Sequence, residues 1–371
     1  MTCTGFAISE TDPQAAEKSD NPKDHAAPWI DRDSPRAREG KYSLPLFDSP
    51  TNKPLTDGLQ GWRNRDGDEF FRQQRQKADQ SNTDTAQFFY KIMKKNAQDL
   101  HQVTRAFDVL SFNLNQPNIL DLCMAPGGFL ETAMEYDSRS YAVAFSLPQT
   151  QGSHQVFMPA CPRLTLKLLD ITMLAADMDV TCIPEDYPDV RNFPPRELPP
   201  GQMFDLVICD GQVLRTHARA EYRENREARR LTVTQLALGL GHLKTGGTMI
   251  VLLHKLEAWD TVRLLNQFNE FSSVRLFRPT KAHSKRSSFY MVATQINRRC
   301  LQAMTAIEEW KQMWKIATLG TDQDLMEALR TSEADVEDVL KKFGPDLISM
   351  GRRVGDIQAK ALARAPFMRE S

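Results

Sequence analysis

The stretch Asn118–Glu131, NILDLCMAPGGFLE, constrains the fold of this 371-residue chain more than any other. An apolar run of strand type ends in Asp121, a turn built on Pro126, Gly127 and Gly128 follows, and FLETAMEY then has helical spacing. A strand, a glycine turn and a helix in that order describe a nucleotide-type site. Glycine lacks a Cβ, so the backbone there can take unusual φ and let a ligand approach closely. The free N–H groups that open the next helix face whatever lies over the turn. The same string also suits a tight turn in any α/β protein, because a glycine turn by itself is weakly specific.

Further strand-like runs recur at α/β spacing. SYAVAFSLP at 140–148, LTLKLLDIT at 164–172 and FDLVICDG at 204–211 precede TMIVLLHK, SSVRLFRPT and SSFYMVATQ. Helical patterns lie between them, including LTVTQLALGLGHLKTGG, closed by glycine, and residues 258–270. This alternation predicts a parallel sheet with helices on both faces, whose ligands lie beyond the carboxyl ends of the strands. Asp121, Asp170 and Asp210 all fall at such ends. A carboxylate there can accept hydrogen bonds from a ligand's ammonium, ribose or amino group, or it can cap the next helical turn. The segment CIPEDYPDVRNFPPRELPPG at 182–201 holds six prolines and reads as a surface insertion.

Four regions follow from composition. Residues 1–60 are rich in Pro, Asp, Ser, Lys and Arg without apolar periodicity, which predicts disorder. Residues 61–112 form a helical segment in which Phe88, Phe89, Ile92 and Met93 make a buried stripe and Lys91, Lys94 and Lys95 take the polar side. Residues 113–299 hold the sheet, and 300–371, with Trp310 and Trp314, form a helical extension that caps it or stands as an accessory bundle. The net charge of −1 means that nucleic-acid binding has to come from a local basic patch. No run of about 18 apolar residues reads as a membrane span, and the start lacks the basic and apolar regions of a signal peptide, so a cytoplasmic or nuclear protein is expected. Six cysteines without a C-x-x-C pair argue against a zinc module or a disulfide framework, and His217, His254 and His283 lack metal-ligand spacing, so no metal is assigned.

DLCMAPGGFLE resembles the first motif of the FtsJ-like ribose 2′-O-methyltransferases, D-x-x-A-A-P-G-G-F/W, and FDLVICDG resembles that family's D-L-V-x-x-D-G strand. The resemblance covers about residues 88–297 and is nearest to eukaryotic members. It implies a Rossmann-like methyltransferase sheet with helices on both faces and helical N- and C-terminal extensions. It also implies S-adenosylmethionine as cofactor, RNA as partner and a ribose 2′-hydroxyl as acceptor. By matching positions, Asp121, Ala125, Pro126, Gly127, Gly128 and Phe129 hold the methionine end and Asp170 lies near the adenine. Asp210 matches the aspartate of the family's Lys-Asp-Lys-Glu set. There a lysine of lowered pKa deprotonates the hydroxyl while the other groups position it, and no metal is needed.

The other members of that set match less well. FYKIMKK offers Lys91 for the first lysine, with Lys94 and Lys95 as rivals. Leu252 occupies the second lysine's position, and Lys255 lies three residues further on, where a regular strand would turn it to the opposite face unless a bulge or the strand's end re-aims it. Ser288 stands where the glutamate is expected, and Ser146 where many relatives carry a ribose-binding acid. The resemblance therefore implies Lys91, Asp210 and Lys255 at the chemistry, or else a protein that has kept the cofactor fold and serves as an RNA-binding or interaction module. Two basic segments flank the edge. Arg215, His217, Arg219, Arg223, Arg226, Arg229 and Arg230, interspersed with glutamates, read as a solvated helix face. Lys281, His283, Lys285 and Arg286 are better placed for phosphate contact.

Overall fold

The computed structural model describes residues 67, 69–73, 83–112, 115–214 and 217–368. The expected disorder of residues 1–60, and Cys3 and Arg215 with it, lie outside the described residues. Seven strands, β1 (Asn118–Asp121), β2 (Tyr141–Ser146), β3 (Leu164–Leu168), β4 (Phe204–Cys209), β5 (Leu243–His254), β6 (Ser273–Phe277) and β7 (Ser288–Thr294), form one sheet in the order β3-β2-β1-β4-β5-β7-β6. The first five run parallel, and β7 is antiparallel to both β5 and β6. Every residue of FDLVIC in β4 is buried, as the centre of a two-sided sheet requires, and its one acid, Asp205, pairs with Lys244 at 2.8 Å and accepts from Asn118 N–H.

Helices cover the two faces separately. On one face lie α1 (Thr83–Thr104), α2 (Asp108–Phe112) and α3 (Gly128–Tyr136), whose Met93, Ala97, Leu100, Leu110, Phe129 and Leu130 pack on Ile119, Leu206, Ile208 and Ile250. On the other lie α4 (Glu227–Gly241), α5 (Trp259–Asn269) and α6 (Leu301–Leu319), followed by α7 (Asp322–Ala328) and α8 (Glu333–Ala363). Trp310, Trp314, Phe343, Leu347 and Val354 join the same core as Leu120, Val207 and Val251, so the C-terminal helices are built into the sheet's cover. Apolar burial on this scale, about 25 cal/mol per Å², is what holds such layers together.

Three expectations need correction. The buried stripe of α1 runs through Met93, Ala97 and Leu100, whereas Phe88 is 63% exposed; helical phase places Phe88 off the face that meets α3. The helix expected to close at Gly246–Gly247 ends at Gly241, and β5 begins at Leu243. Gly246 has φ +84, and the pairing with β4 slips between Phe204 and Leu206, so the glycines form an irregularity inside the strand. The arginine-rich segment is only in part a solvated face, because Arg223, Glu227 and Arg230 are buried. Their charges are matched: Arg223 pairs with Glu227 at 3.1 Å and with Asp170 at 2.9 Å, and Arg230 pairs with Glu227 at 3.0 Å.

Candidate active site

The carboxyl ends of β1, β2 and β4 bring the expected ligand-binding residues together. Leu122 N–H donates to the Ile208 carbonyl and Met124 N–H to that of Phe145, which ties the turn after β1 to both neighbouring strands. Gly127 has φ +101, a backbone state that side chains with a Cβ rarely adopt. A Cβ on Gly128 would lie 2.6 Å from the Tyr90 carbonyl oxygen and 2.9 Å from Lys94 N, so this glycine lets α1 close onto α3. Pro126 accepts a hydrogen bond from Phe157 N–H, and Met158 packs against Gly127. The connection after β2 therefore lies across the glycine turn.

Asp121 is 1% exposed, and its Oδ1 accepts the N–H of Cys123 at 3.1 Å. Its other oxygen, Oδ2, is buried without a hydrogen-bond partner among the described residues. Burial, with the neighbouring Asp210 charge added, holds this acid well above the ordinary carboxylate range. Asp210 follows β4, and burial pushes it up to about 7. Tyr290 on β7 feels the Asp210 charge and packs on Phe129 with ring centroids 5.2 Å apart. One step beyond the Cys209–Val251 pair, Leu252 comes level with Asp210. Leu252 packs in the core beneath α1 and α3, and on β7 it pairs with Tyr290.

Asp170 is a cap as well as a strand-end acid. Its Oδ1 accepts from Thr172 N–H at 2.9 Å and from the Thr172 hydroxyl at 2.7 Å, while Oδ2 accepts from Arg223 at 2.9 Å. Helices α6 and α4 brace this turn: Trp314 Nε1 of α6 donates to the Thr172 carbonyl at 3.0 Å, and Arg230 of α4 donates to the same oxygen at 3.1 Å. Ser146 places its hydroxyl 3.4 Å from that of Ser153.

The lysines are dispersed. Lys91 is exposed on α1. Lys94 bonds to Glu131 and Glu135 of α3, each at 2.9 Å, and Tyr90 also donates to Glu131. Lys95 pairs with Asp99 within α1. Lys255 follows β5 in a left-handed conformation at φ +49, its N–H bonded to the Ser287 carbonyl at 3.2 Å, and Glu257 and His254 feel its charge. The strand's end thus re-aims the chain at Lys255. His254 pairs with Ser288, and burial together with Arg286, Lys255 and Arg278 holds its imidazole down to about 4.

His154 at this edge was not singled out from sequence, nor was its approach to Phe89, His217 and His283. His154 and His283 flank Phe89 of α1 at 5.3 and 5.9 Å, and burial, with Arg219 and His154 adding to it, holds His217 down to about 4. Only the packing of separate loops brings them together. The single visible signal was their position just after strand-like runs. Among the described residues, no group of three or more His, Cys, Asp or Glu side chains is arranged to hold a metal ion.

Comparison with known proteins adds a family. A search of the curated proteins gave no match. Among solved structures, a putative ribosomal RNA methyltransferase from Plasmodium falciparum is 16% identical over 54% of this chain and 96% of its own, with a TM-score of 0.34. An rRNA methylase from Streptococcus thermophilus is 11% identical over 52% and 96%, with a TM-score of 0.32. The N-methyltransferase NodS from Bradyrhizobium japonicum in complex with S-adenosyl-L-homocysteine is 12% identical over 55% and 97%, with a TM-score of 0.31. The FtsJ-like methyltransferase model matches residues 94–296, which is more than half of the chain. The chain belongs to the FtsJ-like methyltransferase family.

Proposed function

We propose that this protein transfers a methyl group from S-adenosylmethionine to RNA, with a ribose 2′-hydroxyl as the acceptor. The observation that carries the reading is the unpartnered, buried Oδ2 of Asp121 beside the glycine turn. A buried polar atom without a partner costs free energy unless a ligand satisfies it, and a carboxylate oxygen suits a cation such as the cofactor's ammonium. Gly127 and Gly128 open α3 beside it, with Ala125, Pro126 and Phe129 shaping the turn, and Asp170 stands at the end of β3 for the adenine side.

S-adenosylmethionine supplies the activated methyl on its sulfonium. The protein has to hold the acceptor hydroxyl in line and take its proton. In this reading Asp210 takes that role, supported by the burial that pushes its carboxyl up to about 7, where it can accept a proton near neutrality. On the same reading Lys91, exposed on α1, and Lys255, beyond β5, orient the hydroxyl or its flanking phosphates. Lys281, Lys285 and Arg286, ahead of β7, extend that basic rim for an RNA strand.

A second reading, a module that binds cofactor and RNA without catalysis, is favoured by Leu252 and Ser288 in place of the family's lysine and glutamate. Incubation with methyl-labelled cofactor and total RNA, followed by digestion to nucleosides, separates the two. The enzyme reading expects label on 2′-O-methyl nucleosides and its loss in Asp210→Ala with cofactor binding retained. Cofactor binding without label in any RNA would favour the module.

A further inference from the structure

At the carboxyl edge two acids stand together, and no cation among the described residues acts on either. β1 and β4 are paired with Asp121 opposite Ile208, and Asp210 follows two residues beyond that pair, past Cys209, on the neighbouring strand. The influences on Asp121 are its burial, the Asp210 charge and one backbone N–H; those on Asp210 are burial and its own backbone. None is a cation among the described residues. The facing groups explain why. Cys123 from the turn, Cys209 from β4 and Tyr290 from β7 are held neutral by burial and by these same acids. At the end of β3 the charge of Asp170 is met by Arg223, on α3 that of Glu131 is met by Lys94, and β5 offers only Leu252. His154, His217, His254 and His283 are all shifted toward the neutral form by burial.

We propose that the Asp121–Asp210 pair holds a proton in the cofactor-free protein and loses it when the positively charged cofactor binds, so that the pair favours the sulfonium cofactor over its neutral thioether product. The proposal rests on the cofactor reading above. Two neighbouring carboxylates in a buried site resist joint ionisation. A ligand cation placed against them relieves that repulsion, and the proton passes to the buffer. S-adenosylmethionine carries one positive charge more than S-adenosylhomocysteine, so the ionised pair attracts it more strongly. Cofactor loading thereby leaves Asp210 ionised and ready to accept the hydroxyl proton, while methyl transfer removes the charge that held the ligand.

Calorimetric titration of S-adenosylmethionine into the full chain at pH 7, in phosphate and in Tris, reads the proton directly through the buffers' different ionisation heats. The expected result is release of about half a proton or more. Across pH 6 to 8, the affinity ratio of S-adenosylmethionine to S-adenosylhomocysteine is expected to rise by about threefold or more, and Asp210→Asn flattens that rise. Tight binding with equal heats in both buffers, or a wild-type ratio that does not change with pH, would overturn the proposal whether or not the variant folds. Absence of cofactor binding under all conditions would instead overturn the cofactor reading itself.

Discussion

Asp210 lends its charge to the burial that holds Asp121 well above the usual carboxylate range, and the two acids occupy the ends of adjacent parallel strands. The consequence is a site that stores electrostatic cost in the absence of ligand. Asp210 titrates at about 7 in the fold against 3.8 for the free side chain. The native state therefore keeps a proton that the unfolded chain gives up between those values. This group's contribution is fully present below about pH 4 and is lost as the pH rises through 7. Asp210→Asn is expected to raise unfolding stability by about 1–3 kcal/mol at pH 8 and to change it little at pH 4. Thermal unfolding across that range checks the sign; a variant less stable at pH 8 than at pH 4, relative to wild type, would contradict it.

Leu252 is the residue that leaves Asp210 without a lysine neighbour on β5. An opposite charge within ~4–6 Å lowers a carboxyl's pKa by about 1–3 units. Leu252→Lys should accordingly bring the Asp210 titration down from near neutrality by at least about one unit. Carboxyl titration followed by NMR reads this, and an unmoved Asp210 would mean that the register does not bring position 252 to the acid.

Trp314 is fully buried and bonds the carbonyl of Thr172 at the turn capped by Asp170. Truncating a buried tryptophan costs about 3–5 kcal/mol. Trp314→Ala should lower the denaturant midpoint of the whole chain in a single transition and weaken cofactor binding through the Asp170 turn. A loss under about 1 kcal/mol, or a separate early transition, would indicate that the C-terminal helices fold apart from the sheet.

Much of this fold could be read from sequence because its strands carry strong local signals. FDLVIC and YAVAFS are short apolar runs whose strand character needs no partner to recognise, and the glycine turn fixes the order of elements around it. Phe88 and the Gly246–Gly247 pair were misread because helical phase and strand irregularity depend on what packs opposite. The arginine-rich segment was misread for a related reason. Its alternation of charges resembles a solvated face, yet Arg223 meets the Asp170 carboxylate and Arg230 meets the Thr172 carbonyl beyond β3 and the Thr318 hydroxyl of α6, all far away in sequence. At the site itself, Asp121, Gly127 and Asp210 lie where strand ends put them. Among the rivals Lys91, Lys94 and Lys95, the pairing of Lys94 with Glu131 and Glu135 was not legible in sequence, because their approach to α1 is tertiary.

The most direct test is calorimetric titration of S-adenosylmethionine into the wild-type chain and into Asp121→Asn, a substitution that can keep the bond to Cys123 N–H while removing the charge. Micromolar binding that the substitution weakens by about tenfold or more, as loss of a charged hydrogen bond implies, is the predicted result. Wild-type protein that takes up no cofactor, or a variant that binds as tightly as wild type, would contradict the assignment of this edge as the methyl donor's site.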